Sequence, residues 1–319
     1  MVNCTVAPPV APSEPGVAGT GILLSFMITA VLALALSASV VAAQVRGRPA
    51  SASTVQRKLL NGLSDSQIVQ GIGIQSVALA KMQTLVPYHF FLVWMLSLLS
   101  MATHNAALLA LARDYRRGWV LRWLRQLLML ANLVLSCVSG VFVLQVVSRG
   151  MSVSTLPVAC VWDGDAAFGK PPGAAGALSY VGTIAVIVGN VATFGLATWY
   201  LHSRAQRWYK MVQVVGLLAM TAVAVGAAVR VVLLSSAFGK PSVALADENE
   251  KEWSFGQLLS MLMLVMPLIS AVEIYGGDVH VAPVEEDASP LFVNELQAHP
   301  RNQFQPNPFF GSETNLFKK

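Results

Sequence analysis

The sequence predicts an all-α protein, a bundle of seven transmembrane helices, from its composition, the length of its apolar runs and the placement of its basic residues. Hydrophobic residues make up 55% of the chain and charged residues only 12%, whereas soluble domains carry about 25% charged residues. The mean hydropathy of +0.60 agrees with a lipid-facing surface. Apolar runs of roughly 20 residues have the length that crosses a ~30 Å hydrocarbon core.

Six of the seven predicted spans are strongly apolar, and the second is weaker. The spans cover residues 20–43, 65–83, 87–111, 125–147, 177–201, 212–236 and 256–275. The span at 65–83 contains several glutamines and Lys81, so a short buried or re-entrant helix is the alternative there. Ser64 and Gln67 fit a capping box at the start of this helix. Pro87 is suited to the first turn of the helix that follows.

The basic residues alternate between the two ends of the predicted spans. Fifteen of the 21 lysines and arginines lie in segments 44–64, 112–125, 202–211 and the carboxyl-terminal tail. Of the other six, Arg149, Lys170, Lys240 and Lys251 lie in the remaining segments between spans, Lys81 lies at the outer end of the second span, and Arg230 lies within the sixth span. Cytoplasmic loops carry an excess of Lys and Arg, and six spans would break the alternation. The chain is therefore predicted to cross seven times, with its amino terminus outside the cytosol and its carboxyl terminus inside.

Both tails are predicted to be disordered. Residues 1–19 are rich in Pro, Ala and Val, and residues 277–319 combine an acidic patch with scattered Pro and Asn. Neither segment has a periodic apolar face, so neither buries enough apolar surface to offset the entropy of ordering. The predicted transmembrane domain covers residues 20–276 between them.

Two covalent modifications are predicted on the outer side. Asn3 opens the sequon Asn3-Cys4-Thr5, which is an acceptor for N-glycosylation; an unused sequon is the alternative. Cys4 and Cys160 both fall outside the cytosol, where oxidising conditions permit a disulfide; two free thiols are the alternative. Cys137 lies in the middle of a span and is interpreted as a packing residue.

A tripeptide in the cytosolic tail is a candidate for binding a trafficking adaptor. Asn307-Pro308-Phe309 resembles the tripeptide that endocytic EH domains bind. A chance tripeptide in a tail rich in Pro and Asn is the alternative. The other partners predicted are the lipid bilayer and a small hydrophobic ligand, with no nucleic acid. The membrane itself is predicted to be the plasma membrane or an endomembrane.

Polar residues within the predicted spans fall into two sets at two depths. The inner set consists of Gln70, His104, Asn105, Asn132 and Glu273. The outer set consists of Tyr88, His89 and Arg230. Because polar groups are costly in lipid, these side chains are predicted to face other helices or water. Each set is a candidate site, with interhelical hydrogen bonding as the alternative; Arg230 and Glu273 could instead reach the headgroups.

His104 carries the most specific of these expectations. Ser97, Ser100 and His104 recur at i, i+3 and i+7 and form one stripe along the third span. His104 is therefore predicted to face the interior, with a hydrogen-bond partner on another helix. Arg230 lies near the outer end of the sixth span and Glu273 near the cytosolic end of the seventh, so they are predicted not to form a salt bridge.

Three stretches carry a resemblance to a known set of proteins. They are Leu63-Ser64-Asp65-Ser66-Gln67, Leu111-Ala112-Arg113-Asp114-Tyr115-Arg116 and Trp253-Ser254-Phe255-Gly256-Gln257. Together they resemble a family of uncharacterised fungal seven-helix membrane proteins, some of them encoded beside secondary-metabolite genes. The resemblance covers residues 63 to about 275 and implies the topology. It implies no catalytic residue, because no activity is established for that family.

Several functions remain open from the sequence. The predicted topology is that of G-protein-coupled receptors. Asp114-Tyr115-Arg116 lies at the cytosolic end of the third span, where those receptors have an acidic-Arg-aromatic motif, although the order of the three residue types differs. Residues 267–275 lack the Asn-Pro-x-x-Tyr pattern of their seventh span. An accessory membrane component is the related alternative. An intramembrane enzyme of the terpene-cyclase type would depend on Glu273 as its proton donor. A transporter of a small hydrophobic metabolite is a further alternative. No metal or cofactor is predicted, because His89 and His104 share one helix.

Overall fold

The computed structural model describes residues 4–46, 54–115, 119–163, 174–202 and 208–275. This part of the chain is helical and contains no β-strand. Its long helices are α1 (Thr20–Val45), α2 (Thr54–Ala80), α3 (Pro87–Ala110), α4 (Trp119–Ser148), α5 (Ala174–His202), α6 (Tyr209–Leu234) and α7 (Phe255–Tyr275). The asparagine of the sequon, the predicted carboxyl-terminal tail and Asn307-Pro308-Phe309 lie outside the described residues.

Six helices of the described chain are long and apolar enough to cross a membrane. They span Pro15–Val45, Pro87–Ala110, Arg122–Ser148, Gly176–His202, Tyr209–Leu234 and Phe255–Glu273. Helix α2 is not among them, in agreement with the weak apolar signal of its sequence. The chain therefore has the all-helical architecture of a multi-pass membrane protein.

Helix α3 forms the centre of the bundle. It contacts α1, α2, α4, α5 and α6, while α7 packs on the outside of α1 and α2. Every residue of α3 except Phe91 is buried. A helix surrounded on all sides has no charged, solvent-facing stripe, and the sequence of α3 accordingly contains no Asp, Glu, Lys or Arg.

Helix α2 begins earlier than its sequence predicts. It starts at Thr54 rather than at residue 65, so Ser64 lies inside the helix and the predicted capping box is wrong. Leu60 and Leu63 are fully buried, and this apolar face extends the helix toward its amino terminus. Four helices contact α2, and they cover buried polar groups such as Gln67, which explains how a weakly apolar helix fits into the bundle.

The amino-terminal segment packs on one end of the bundle. Ala11 is fully buried; its N–H donates to the carbonyl of Ala244 at 2.8 Å, and its carbonyl accepts from the N–H of Ala246 at 2.8 Å. Cys4 forms a disulfide with Cys160. These contacts correct the prediction of disorder for residues 4–19: the segment is held by backbone pairing and a covalent bond, which a composition argument does not detect. Residues 4–19, 149–163 and 235–254 together are called the cap below.

Candidate functional site

A buried carboxylate joins the cap to the central helix. Glu250 has no exposed surface. Its Oε1 lies 2.5 Å from Nε2 of His89, and its Oε2 accepts a hydrogen bond of 3.2 Å from the Tyr88 hydroxyl. The backbone N–H of Glu14 also donates to Oε1, at 3.4 Å. A buried carboxylate is tolerated only when its oxygens are paired in this way. Tyr88, His89 and Glu250 are called the cap cluster.

The start of α3 creates the environment for this carboxylate. Pro87 occupies the first turn, and Tyr88 and His89 follow it directly. The amino terminus of a helix carries a partial positive charge, which favours a nearby anion. The Tyr88 hydroxyl also accepts a hydrogen bond of 2.8 Å from the N–H of Ser236, which holds the first residues after α6 against α3.

The backbone of Glu250 connects the same point to α1. Its carbonyl accepts hydrogen bonds from the N–H of Thr20 at 3.1 Å and from the Thr20 hydroxyl at 3.2 Å. Nearby, Lys81 forms an ion pair with Glu14 at 2.7 Å. The amino-terminal segment, the start of α1, the start of α3 and the 235–254 segment therefore meet at one residue.

The cap cluster contains two of the three predicted outer residues. Tyr88 and His89 lie together on Glu250, but Arg230 is exposed, and its guanidinium carbon lies 5.9 Å from the centre of the Phe91 ring. The sequence did not predict Glu250 as a site residue, because an acidic residue in a segment between two spans is usually solvated. Nothing in its immediate sequence marks it as buried, since Glu248, Lys251 and other charged residues surround it.

Asn132, a predicted inner residue, is the centre of a hydrogen-bond network between helices. Gln75 Nε2 donates to its Oδ1 at 2.7 Å, and its own Nδ2 donates to the Ser100 hydroxyl at 3.0 Å. Ser100 in turn donates to the carbonyl of Gln67 at 2.7 Å. A Cβ at Gly71 would lie 2.5 Å from the Ser100 oxygen, so glycine permits this approach of α2 to α3. The network therefore joins α2, α3 and α4 by interhelical hydrogen bonds.

The other inner residues do not join Asn132. Gln70 accepts a hydrogen bond of 3.5 Å from Ser25 of α1, and Asn105 donates to the sulfur of Met220 on α6 at 3.6 Å. Glu273 is exposed near the end of α7. The prediction of one inner site is therefore wrong, because residues at the same depth point to different neighbouring helices.

His104 faces the interior, as predicted, and is fully buried. Neither of its ring nitrogens has a hydrogen-bond partner on another helix within the described chain, so the second half of that prediction is wrong. Its neighbours in the stripe do find partners: Ser97 and Ser136 are 3.0 Å apart, and Ser100 contacts Asn132. The stripe faces α4 and α2 at those levels, and His104 lies a turn beyond the network.

The other end of α3 is also tied to its neighbours by side chains. The carbonyl of Leu109 accepts hydrogen bonds from the Tyr209 hydroxyl at 2.9 Å and from Gln213 Nε2 at 2.8 Å. The carbonyl of Ala110 accepts from Gln44 Nε2 at 3.1 Å. The last carbonyls of a helix lack partners within the helix, so these residues of α1 and α6 satisfy them.

Comparisons of the chain with protein-family models, with curated protein sequences and with solved structures find no match in any of the three. The geometry itself defines the class: a helical multi-pass membrane protein whose buried central helix is bound to a cap at one end and to α1 and α6 at the other.

Proposed function

We propose that this chain is a receptor-like membrane protein with seven spans, which binds a small hydrophobic ligand and does not transform it. The observation that supports this is the double attachment of α3. Glu250 binds the start of the helix, and Gln44, Tyr209 and Gln213 bind its end. A packed helix that is fixed at both ends is the kind of continuous element through which energetic coupling between two sites is carried.

Three features support seven spans with the cap outside the cytosol. Helix α2 has 27 residues, so it is ~40 Å long at ~1.5 Å per residue and exceeds the hydrocarbon thickness. Its buried polar groups face other helices, so its low hydropathy does not exclude a crossing. The Cys4–Cys160 disulfide belongs to the cap, and disulfides persist in oxidising compartments.

The two catalytic or transport alternatives have weaker support. A proton donor of the terpene-cyclase type needs a neutral acid in an apolar pocket, but Glu273 is exposed. Both carboxylate oxygens of Glu250 are occupied by side chains and backbone. A transporter needs a polar path that opens alternately, whereas Asn132, Gln75 and Ser100 bond to one another across the helices.

The remaining expectations from the sequence are part of this proposal. They are glycosylation at Asn3, adaptor binding by Asn307-Pro308-Phe309, residence in the plasma membrane or an endomembrane, and a link to a fungal secondary-metabolite pathway. The last rests on the resemblance of residues 63 to about 275 alone.

Deleting the gene and profiling metabolites tests the proposal. A receptor-like or accessory protein carries out no step on a metabolite, so we expect no product to vanish while its precursor accumulates. The control is the deletion strain that again expresses the wild-type chain. Loss of one product together with accumulation of its precursor, reversed in the control, would contradict the proposal and favour an enzyme or a transporter.

A further inference from the structure

A lateral groove opens between α5 and α6 and reaches the central helix. Its volume is about 320 Å³, at the lower end of the ~300–1,000 Å³ typical of small-molecule sites. Trp94 and Leu98 of α3 line its floor, Thr183 lies on the α5 side, and Gly226 and Arg230 lie on the α6 side. Most of the lining is apolar, and Arg230 is the one charged residue in it.

Small residues on both helices keep the groove open. A Cβ added at Gly182 or at Gly226 would meet no heavy atom within 4 Å. Ala222 and Ala227 also line the groove. The groove is therefore open because these residues of α5 and α6 are small, and a larger side chain at Gly226 would occupy part of it.

Arg230 places a cation in this apolar groove. It lies four residues before the end of α6 at Leu234, which is ~6 Å along the helix axis. Within the described residues, no carboxylate lies at salt-bridge distance from its guanidinium. A charged group within the membrane needs an opposite charge or a hydrogen-bond acceptor, and the contact with Phe91 supplies neither.

We propose that this groove binds a single-chain amphiphile with a carboxylate headgroup, the chemistry of a long-chain fatty acid. The carboxylate pairs with Arg230, because a guanidinium matches a carboxylate with two parallel hydrogen bonds. The alkyl chain lies between α5 and α6 over Leu98. The small volume suits one chain rather than two. This inference rests on the proposed receptor-like function and deepens it by naming the ligand class.

Binding of palmitate to the purified full chain tests the inference. The chain is reconstituted in nanodiscs of phosphatidylcholine, which has no net charge, and titrated with radiolabelled palmitate. Arg230→Gln is expected to raise the Kd about tenfold or more, because it removes a charge-assisted pair. Gly226→Leu is expected to abolish binding by filling the groove. The matched control is Gly195→Leu on α5, where a Cβ also meets open space outside the groove, and its Kd should equal that of the wild type.

Three results would overturn the inference that the groove binds a fatty acid. Equal Kd values for the wild type and Arg230→Gln would overturn the inference and leave Arg230 as a residue that reaches the headgroups. Equal affinity for palmitate and its methyl ester would also overturn it, as would tighter binding of lysophosphatidate, which would assign a phosphate ligand. If Gly226→Leu fails to fold, the Kd of Arg230→Gln for palmitate and the Kd of the wild type for the methyl ester still test the inference. A negative binding result for palmitate leaves the expected metabolite profile unchanged, so the fatty-acid site and the receptor-like function are tested independently.

Discussion

Replacing Glu250 by alanine is expected to lower the free energy of unfolding by about 3 kcal/mol, because two buried hydrogen-bonding groups lose their carboxylate partner and each buried group left unsatisfied costs about 1–3 kcal/mol. The substitution leaves His89, which is 1% exposed, without its carboxylate. It also leaves the Tyr88 hydroxyl without one of its two partners. Thermal unfolding of the purified protein in detergent measures the effect as a lowered Tm.

The control for this prediction lies in the same segment of the cap. Glu248 pairs with Lys251 at 3.2 Å, but its side chain is 80% exposed, so Glu248→Ala is expected to change stability by less than about 1 kcal/mol. A double-mutant cycle with His89→Ala and Glu250→Ala should show strong coupling. If Glu250→Ala matches Glu248→Ala in Tm, Glu250 does not hold the cap to α3.

Replacing Gly71 by leucine is expected to destabilise the bundle by about 3 kcal/mol. A Cβ at this position would lie 2.5 Å from the Ser100 hydroxyl oxygen and 3.0 Å from Asn132 Oδ1. The larger side chain therefore separates α2 from α3 and breaks a buried network, and overpacking alone costs about 1–3 kcal/mol. Unfolding in detergent again provides the measurement.

Gly73 provides a matched control two positions along the same helix. A Cβ there would meet no heavy atom within 4 Å, so Gly73→Leu should leave the stability unchanged or raise it slightly, because leucine favours a helix more than glycine does. Similar Tm values for the two variants would show that α2 does not approach α3 closely at Gly71.

Run length and composition were sufficient to predict the strongly apolar helices, because lipid imposes the same requirement on every one of them. Helix α2 follows a different rule. Its contacts with α1, α3, α4 and α7 come from the tertiary arrangement, and they allow Gln67 and Gln75 to be buried. Hydropathy measures one segment at a time, so it could not reveal that these glutamines face other helices.

The site was predictable only in part, for two physical reasons. Tyr88 and His89 stand out as polar residues in an apolar helix, but Glu250 becomes buried only when the cap folds over α3. The inner residues were grouped by depth, which helix length determines. The direction in which each side chain points around its helix axis depends instead on how the helices pack. Asn132 contacts α2 and α3, Asn105 contacts α6, and Glu273 lies at the surface.

The central claim is that the chain crosses the membrane seven times with its cap outside the cytosol, and glycosylation mapping tests it most directly. Asn3→Gln first removes the native sequon, and a sequon tag is then fused to either terminus. The account predicts glycosylation of the amino-terminal tag and none of the carboxyl-terminal tag. If α2 does not cross, the termini lie on the same side, so a glycosylated carboxyl-terminal tag would contradict the account.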